Sequence, residues 1–520
     1  MLIKKFNFVV LSFSTLIFFV LYSLIKQIHF MQNDDWVYYQ SIENFLNGNF
    51  LLAPLVGITF YTQGFLGLLF TKVTGDIYSL PILTLIISVL NFAIFATILK
   101  KQYKVSSTVS ILSASLLFLN PLHFYSTLGF MSENFVLFFL LLGIYLINNH
   151  QKLPNLKNFL LMNLVLILGF FVKQYLVVAF ISLIIFLFFK KLYKYSMYQL
   201  AITIVLLFIY YTFFPITNVM QNQSLMFSNL LNFSKMYSLI YVIFVYLCAM
   251  MIPLIFVVVK AEFSNLKLKR IASKFLMSII IVFLATKLFQ LFEYPLKDFP
   301  YLINTFARKG FYPYGLDGNK YSWIGVYDIL RSWNFVSIAI LGLFISFSSN
   351  FIKKIIKSIG FEDIFFVLYF GLLLITPTLY DRYLLPLIAV GILLLSKRVA
   401  NKFSGLYIMS LFPFLIFFVG LNYQFSMDYI SWQNYVWGRA SFISDFESIN
   451  KSDISSSHAW NNYYNVSENY MYKFSFDSPD KFSQINEMNL VEKKEIDFFG
   501  NLFLESNVHL YSRMTDIQND

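Results

Sequence analysis

The sequence predicts an all-α polytopic membrane protein with a small α+β extracytoplasmic domain at its C-terminal end. Hydrophobic residues make up 58% of the 520 residues and charged residues only 13%, whereas soluble chains average about 25% charged residues. Apolar runs long enough to cross ~30 Å of hydrocarbon recur along most of the chain. After residue 421 these runs shorten and charges become more frequent. We therefore divide the chain into a transmembrane domain, 1–421, and a C-terminal domain, 422–520.

Hydropathy predicts about thirteen transmembrane helices. The fourth opens at Glu133 and ends before Asn148. The other twelve are predicted at residues 6–25, 81–99, 109–119, 158–171, 175–189, 200–214, 240–259, 275–292, 335–347, 364–379, 384–395 and 406–421. With this count every tight Lys/Arg cluster falls on the cytoplasmic side, which also explains the net charge of +12 without nucleic acid.

The orientation follows from the N-terminal end. Lys4 and Lys5 precede the first apolar segment and place the N-terminus in the cytoplasm, so the C-terminus lies outside. The segment is longer than the apolar core of a typical signal peptide and lacks a small-residue cleavage pattern, so we interpret it as a retained anchor. The only cysteine is Cys248, which excludes an intramolecular disulfide. We expect a multi-pass protein of the plasma membrane.

Two parts outside the spans have predicted structure of their own. The first outer loop contains amphipathic stretches at 36–47 and 60–73, which predict two helices lying along the membrane interface. In the C-terminal domain, alternation at 472–476 predicts a strand, and 491–504 is predicted to be a helix. We find no catalytic motif in that domain.

Two adjacent carboxylates, Asp34 and Asp35, follow the first span. Charged side chains are costly inside hydrocarbon, so the pair should lie at the membrane–water boundary. One carboxylate can act as a general base while the other orients it or shares a cation with it. The alternative is that one of them caps the helix starting near Trp36, because Asp is a favoured N-cap residue. Two acidic residues in tandem, followed by aromatic residues, favour a functional role.

This arrangement resembles the GT-C class of glycosyltransferases, especially the branch of protein O-mannosyltransferases and aminoarabinose transferases. The shared features are a short basic N-terminus, one span, the run Asp34-Asp35-Trp36-Val37-Tyr38, interfacial helices and many further spans. The resemblance implies that Asp34 is the catalytic base, Asp35 its acidic neighbour and Tyr38 an aromatic substrate contact. Relatives often have a Pro-Pro pair soon after this motif. Here only Ala53-Pro54 is found, so the exact branch stays open.

Glu133 is the third acidic candidate for the site. Its carboxylate either stabilises the N-terminal end of its helix through the helix dipole or belongs to the active site. The relatives have a similar Met-Thr/Ser-Glu near the active site, and here the run is Met131-Ser132-Glu133. Asp34, Asp35 and Glu133 could together bind a divalent cation such as Mg²⁺ or Mn²⁺ through oxygen ligands. Some GT-C enzymes need a metal and others do not, so we assign no metal ligand.

Two cations are candidates for binding a lipid phosphate. Arg382 lies in Tyr380-Asp381-Arg382-Tyr383 at the start of a late span, and a guanidinium fork suits phosphate. The alternative is an interfacial anchor paired with Asp381. Lys173 stands alone at the tip of the hairpin between the fifth and sixth spans. The relatives have a similar Arg-Tyr-x-x-Pro and a Lys in these regions, which implies donor phosphate binding.

The long outer loop at 293–333 is a candidate lid. Gly310, Gly315 and Gly318 supply hinges, and Lys309 and Lys320 suit an anionic donor. The alternative is a solvated connector.

The resemblance implies transfer of a sugar from a polyprenyl-phosphate donor to an extracytoplasmic acceptor, which is a lipid-linked glycan, a polysaccharide or a protein. The expected partners are this lipid donor, membrane lipid and the acceptor, with no nucleic acid. The rival from another class is a transporter or flippase of lipid-linked glycans. A transporter would place its acidic residues at mid-bilayer in a pair of broken helices, and the sequence shows no clear pair of broken helices. An envelope-glycan polymerase or ligase and a purely structural membrane protein are further alternatives.

Overall fold

The structure of the protein, a computed structural model, describes residues 2–222, 225–263, 267–291, 305–307, 309–318, 320, 324–348, 358–399, 404–479, 488–499, 501 and 506–513. Within these ranges the chain is mostly helical and has a small C-terminal sheet. The helices are α1 (Leu2–Ile25), α2 (Asp35–Leu46), α3 (Tyr61–Thr74), α4 (Leu80–Thr97), α5 (Ser107–Phe118), α6 (Pro121–Thr127), α7 (Ser132–Lys152), α8 (Leu156–Phe170), α9 (Val177–Phe189), α10 (Tyr193–Phe213), α11 (Asn218–Asn222), α12 (Phe233–Phe263), α13 (Leu268–Leu291), α14 (Ile324–Phe347), α15 (Phe361–Leu374), α16 (Leu385–Val399), α17 (Ser404–Phe446) and α18 (His458–Tyr463). The strands are β1 (Phe306–Ala307), β2 (Gly310–Phe311), β3 (Ile454–Ser455), β4 (Tyr472–Ser475), β5 (Met488–Ile496) and β6 (Ser506–Arg513).

Each of the thirteen predicted spans overlaps a helix of the structure. Among the described residues, seven helices are long and apolar enough to cross a membrane, and α5 with α6 forms a further candidate bent by 67°. The shorter apolar helices include α8, whose 15 residues span only about 22 Å at 1.5 Å per residue. The chain is therefore a candidate polytopic membrane protein, and the count of thirteen crossings stays a prediction.

The bundle packs around α4, α7 and α12. Helix α4 contacts α1, α5 and α7, while α12 contacts α14, α16 and α17. Helix α12 bends at Met251, whose φ of −123° is not helical. Pro253 explains the bend, because proline removes a helical hydrogen bond and its ring clashes with a carbonyl of the preceding turn.

The two helices predicted between the first and second spans are confirmed. The predicted stretch 36–47 is found as α2, and 60–73 as α3. Helix α2 buries Trp36, Tyr39, Ile42 and Phe45, so its apolar face packs into the protein. This packing fixes the N-terminal end of α2, where the acidic pair lies.

The C-terminal region differs from the prediction in two respects. Helix α17 continues through residue 422 to Phe446, so the change in composition lies inside a helix of 43 residues. The strand predicted at 472–476 is confirmed as β4, and the sheet has the order β3-β4-β6-β5. The helix predicted at 491–504 is wrong, because Val491 lies within β5, which pairs antiparallel with β6. The charged run at 492–495 falls on this edge strand, where charges face solvent and block unwanted pairing.

Within the candidate lid, the described segment 305–318 is hydrogen-bonded to the rest of the protein at both of its ends. Helix α14 begins at Ile324, nine residues before the predicted end of the loop, and 292–304 lies outside the described residues. On one side, the backbone N–H groups of Thr305 and Phe306 donate to Asp381 at 3.0 and 2.8 Å. On the other side, the Phe476 N–H of the C-terminal sheet donates to the Asp317 carbonyl at 2.8 Å. The segment 305–318 therefore connects the sheet to the start of α16.

Candidate active site

A polar cavity of about 330 Å³ lies where the N-terminal end of α2, the start of α7, the α8–α9 turn and the turn before α16 meet. Tyr312 from the 305–318 segment and α18 close it from the side of the C-terminal sheet. Its charged lining residues are Asp34, Glu133, Lys173 and Arg382. These four residues were predicted separately from four distant parts of the sequence.

Asp34 faces this cavity and does not cap its helix. It occupies the N-cap position of α2, yet its side chain makes no capping hydrogen bond. Its carboxylate instead pairs with Arg382, with 2.5 Å between Oδ2 and Nη2. Burial alone would raise the pKa of Asp34, but the Arg382 guanidinium holds that pKa below its usual value. Asp34 is therefore an ionised carboxylate at neutral pH.

The residue before it is held in an uncommon backbone conformation. Asn33 has φ of +42°, in the left-handed region that Asn tolerates better than most residues. In the amide orientation that satisfies its neighbours, Asn33 accepts a hydrogen bond from Arg382 Nη1 at 3.0 Å. It also donates to the Tyr312 hydroxyl at 3.1 Å and to Asp34 Oδ1 at 3.2 Å. These bonds fix the direction of the Asp34 carboxylate.

Arg382 is directed into the cavity because Asp381 is occupied elsewhere. Asp381 is fully buried and accepts the backbone N–H groups of Thr305, Phe306 and Arg382. Burial raises the pKa of Asp381 to about 6, against the lowering effect of those N–H groups. The alternative of an interfacial Asp381–Arg382 side-chain pair is therefore not what the structure shows. The guanidinium contacts Asp34 and Asn33, and its Nε lies 3.6 Å from Glu133.

Glu133 and Lys173 form the second ion pair of the cavity. Lys173 Nζ lies 3.1 Å from Glu133 Oε1 and 4.5 Å from the centre of the Tyr383 ring. Burial lowers the pKa of Lys173, and the neighbouring Glu133 carboxylate partly restores it. The last turn of α8, just before Lys173, packs closely on α7, since a Cβ at Gly169 would lie 2.7 Å from Phe139 Cβ. Two cations thus face two carboxylates, and their formal charges cancel.

Asp35 lies apart from this network. Its side chain is 1% exposed, and it is not among the residues lining the cavity. Oδ2 accepts the backbone N–H of Phe130 at 2.8 Å, which ties α2 to the turn preceding Glu133. Burial raises the pKa of Asp35 well above its usual value, although the N–H groups of Phe130 and Gln32 oppose the shift. The expectation that Asp35 assists directly in the chemistry finds no contact to support it, and its geometry is that of a positioning residue.

The three predicted substrate contacts fall in different places. Tyr38 lines the cavity and stacks on Phe60, with ring centroids 4.7 Å apart. Lys320 is fully buried in an ion pair with Asp428 of α17, away from the cavity. Lys309 is described by the structure but is not among the lining residues. The structure therefore brings Tyr38 to the site and does not bring the two lysines there.

The C-terminal region also contributes to the cavity, which the sequence analysis does not predict. His458 and Asn462 of α18 line the cavity, and the His458 ring lies edge-to-face on Tyr312 at 6.3 Å. Burial lowers the pKa of His458, while the Asp34 carboxylate opposes the shift. Tyr463 fastens α18 to α2 through a 2.7 Å hydrogen bond to Glu43. More than four hundred residues separate His458 from Asp34 in the printed sequence, and no motif around His458 indicates that the two meet.

The three carboxylates proposed to bind a cation have other partners in the structure. Asp34 and Glu133 are paired with cationic side chains, and Asp35 is buried against backbone N–H groups. Within the described ranges, no group of three or more His, Cys, Asp or Glu side chains is arranged to hold a metal ion.

Comparison with known proteins adds no identification, because no protein-family model matches the chain and no curated protein matches it either.

Proposed function

We propose that the protein is a GT-C-like glycosyltransferase that moves a sugar from a polyprenyl-phosphate donor to an extracytoplasmic acceptor, with Asp34 as the general base. One observation supports this most strongly. A carboxylate that does not cap its helix meets a guanidinium and an ammonium group in one polar cavity at the end of an apolar bundle. This combination supplies a base for the acceptor and cations for a phosphate.

The proposed step is a single displacement with inversion. The acceptor hydroxyl attacks C1 of the sugar while its proton passes to Asp34. A new C1–O bond to the acceptor forms as the bond from C1 to the donor phosphate oxygen breaks. The electron pair of the broken bond leaves with the polyprenyl phosphate. Arg382 and Lys173 offset the negative charge that develops on this leaving group. The size of the cavity, about 330 Å³, suits one sugar with its phosphate.

An apolar groove beside the cavity suits the polyprenyl tail. This groove of about 620 Å³ lies between α3, α7, α8 and α10 and is lined mainly by aromatic and aliphatic side chains. Phe171 belongs to its lining, and Lys173 follows two residues later at the polar cavity. The carbonyl of Phe171 accepts the Thr62 N–H at 3.1 Å, which joins the start of α3 to the α8–α9 turn within the groove wall. A lipid with its phosphate on Lys173 would therefore find an apolar surface next to it.

Transfer from a defined donor tests the proposal. Purified protein in detergent is given a panel of radiolabelled polyprenyl-phosphate sugars with an acceptor extract from the native envelope. We expect label to move to acceptor material from at least one donor, with inversion at the anomeric carbon. No transfer from any donor, combined with movement of labelled lipid-linked glycan across a vesicle membrane, would favour the flippase instead.

A further inference from the structure

The two cations assigned to the donor phosphate are both paired with carboxylates of the protein. Arg382 directs Nη2 to Asp34 at 2.5 Å and Nη1 to the Asn33 amide oxygen at 3.0 Å, and its Nε faces Glu133 at 3.6 Å. Lys173 is bound to Glu133 at 3.1 Å and lies over the Tyr383 ring. An incoming phosphate therefore meets a guanidinium whose fork is turned toward protein oxygen atoms.

The same contact restrains the base. A carboxylate bound to a guanidinium is a weaker proton acceptor, because the cation stabilises its charged form. A phosphate and a carboxylate seek the same parallel N–H groups of an arginine. As long as Asp34 occupies Nη2, it is poorly placed to take a proton and Arg382 is poorly placed to hold a phosphate.

The exposure of the Asp34 and Glu133 carboxylates indicates which of them a phosphate would displace from Arg382. The Asp34 side chain is 34% exposed, on the cavity side, whereas the Glu133 side chain is 4% exposed. A partly exposed carboxylate can turn into the cavity and keep its hydration. A buried one would leave its partner cations at a larger desolvation cost. Asp34 is thus the movable partner, and Glu133 keeps Lys173 and Arg382 in place.

We infer that the donor phosphate displaces Asp34 from Arg382, so that the base is released for the acceptor only after the donor has bound. The inference rests on the proposed function and adds an order of binding to it, with the donor first. Asp34 is held in its ion pair with Arg382 until the donor binds, and in the donor complex it faces the sugar. The enzyme then has no free base until the donor has bound.

The inference predicts that removing the base strengthens binding of the donor phosphate. The probe is undecaprenyl phosphate, which has no sugar, and undecaprenol serves as the control for tail binding. The Asp34→Asn variant of the full chain in lipid nanodiscs should bind the phosphate about tenfold more tightly than wild type, because one charge-assisted hydrogen bond no longer competes. Asp34→Glu, which restores the carboxylate, should return the affinity toward the wild-type value. Binding of undecaprenol should be equal in all variants.

Asp76→Asn provides the matched control, since it removes the same charge from an exposed residue outside the cavity and should leave the affinity unchanged. Asp34→Ser also removes the negative charge but introduces a smaller side chain. If Asp34→Asn does not fold, binding is measured with Asp34→Ser. Equal or weaker phosphate binding after loss of the Asp34 charge would overturn the inference and leave the proposed transferase standing. Failure of wild type and every variant to bind the phosphate would overturn the proposed donor class and, with it, this inference.

Discussion

Two adjacent aspartates in this protein have different surroundings and so different chemistry. Asp34 is ion-paired with Arg382 at the edge of a polar cavity. Asp35 is buried against backbone N–H groups and meets no cation in the contacts that the structure shows. Successive residues at the start of a helix point about 100° apart, so one faces the cavity while the other faces the turn before α7. The tandem pair is thus one candidate base and one positioning residue.

The pH dependence of activity depends on Asp381. Its pKa of about 6 means that it is anionic at pH 7 and becomes neutral as the pH falls through 6. The anion accepts the N–H groups of Thr305, Phe306 and Arg382, and a neutral carboxyl would hold them less strongly. We expect the transfer rate to fall below pH 6 in wild type, measured as rate against pH at saturating donor.

The Asp381→Asn variant identifies the titrating group. The introduced amide cannot ionise, so this variant should have a lower transfer rate, and its plot of rate against pH should show no step near pH 6. His458 is the competing candidate for the titrating group, because it faces the cavity and burial lowers its pKa below its usual value. A profile that loses its step in His458→Asn and retains it in Asp381→Asn would assign the titration to the imidazole and contradict the prediction.

The helices could be predicted from the sequence, whereas the C-terminal strands were predicted only in part. Long apolar runs in lipid must satisfy their backbone hydrogen bonds internally, and each predicted span overlaps a helix. In contrast, β5 depends on pairing with β6, and a strand stabilised by a distant partner has a weak local signal. The bulge between Leu490 and Glu492 also interrupts the alternation that predicts a strand.

The segment 305–318 fixes one wall of the cavity through its attachment to the C-terminal sheet. Gly318 has φ of +92°, and a Cβ there would lie 2.6 Å from the backbone nitrogen of Asp477. Gly318→Ala should therefore detach the segment and move Tyr312. A displacement of about 1 Å at a catalytic site can cost about a hundredfold in rate. We expect a loss of roughly tenfold to a hundredfold in turnover and a lower unfolding temperature.

The control for this variant is Gly371→Ala, because a Cβ at Gly371 of α15 would meet no atom within 4 Å. In a helix interior, replacing Gly by Ala stabilises the helix by up to about 1 kcal/mol. Turnover of Gly318→Ala equal to that of Gly371→Ala would show that the segment does not need its attachment.

The whole molecule joins distant parts of the chain in one site. The first outer loop, α7, the α8–α9 turn, the start of α16 and α18 all contribute to the cavity. Motifs next to predicted spans were enough to find Asp34, Glu133, Lys173 and Arg382. They were not enough to find His458 or to exclude Lys320, because burial against Asp428 is a property of the folded chain.

The predicted topology can be tested with single cysteines. The native Cys248 is buried, so it should react little with an impermeant maleimide. Leu153 and Phe499 are 71% and 91% exposed, and the predicted topology places them on opposite sides of the membrane. We expect Phe499→Cys to be labelled in intact cells and Leu153→Cys only after permeabilisation. Labelling of both from the same side would require an even number of crossings between them and contradict the nine predicted.

The rate of sugar transfer by Asp34→Asn at saturating donor is the decisive quantity for the proposed mechanism. It should be compared with Asp76→Asn under the same conditions, using a polyprenyl-phosphate sugar that wild type accepts. We predict that Asp34→Asn is slower than wild type by about a hundredfold or more, because an amide cannot accept the acceptor proton. Asp76→Asn should match wild type. Transfer by Asp34→Asn at the wild-type rate would contradict the assignment of Asp34 as the base.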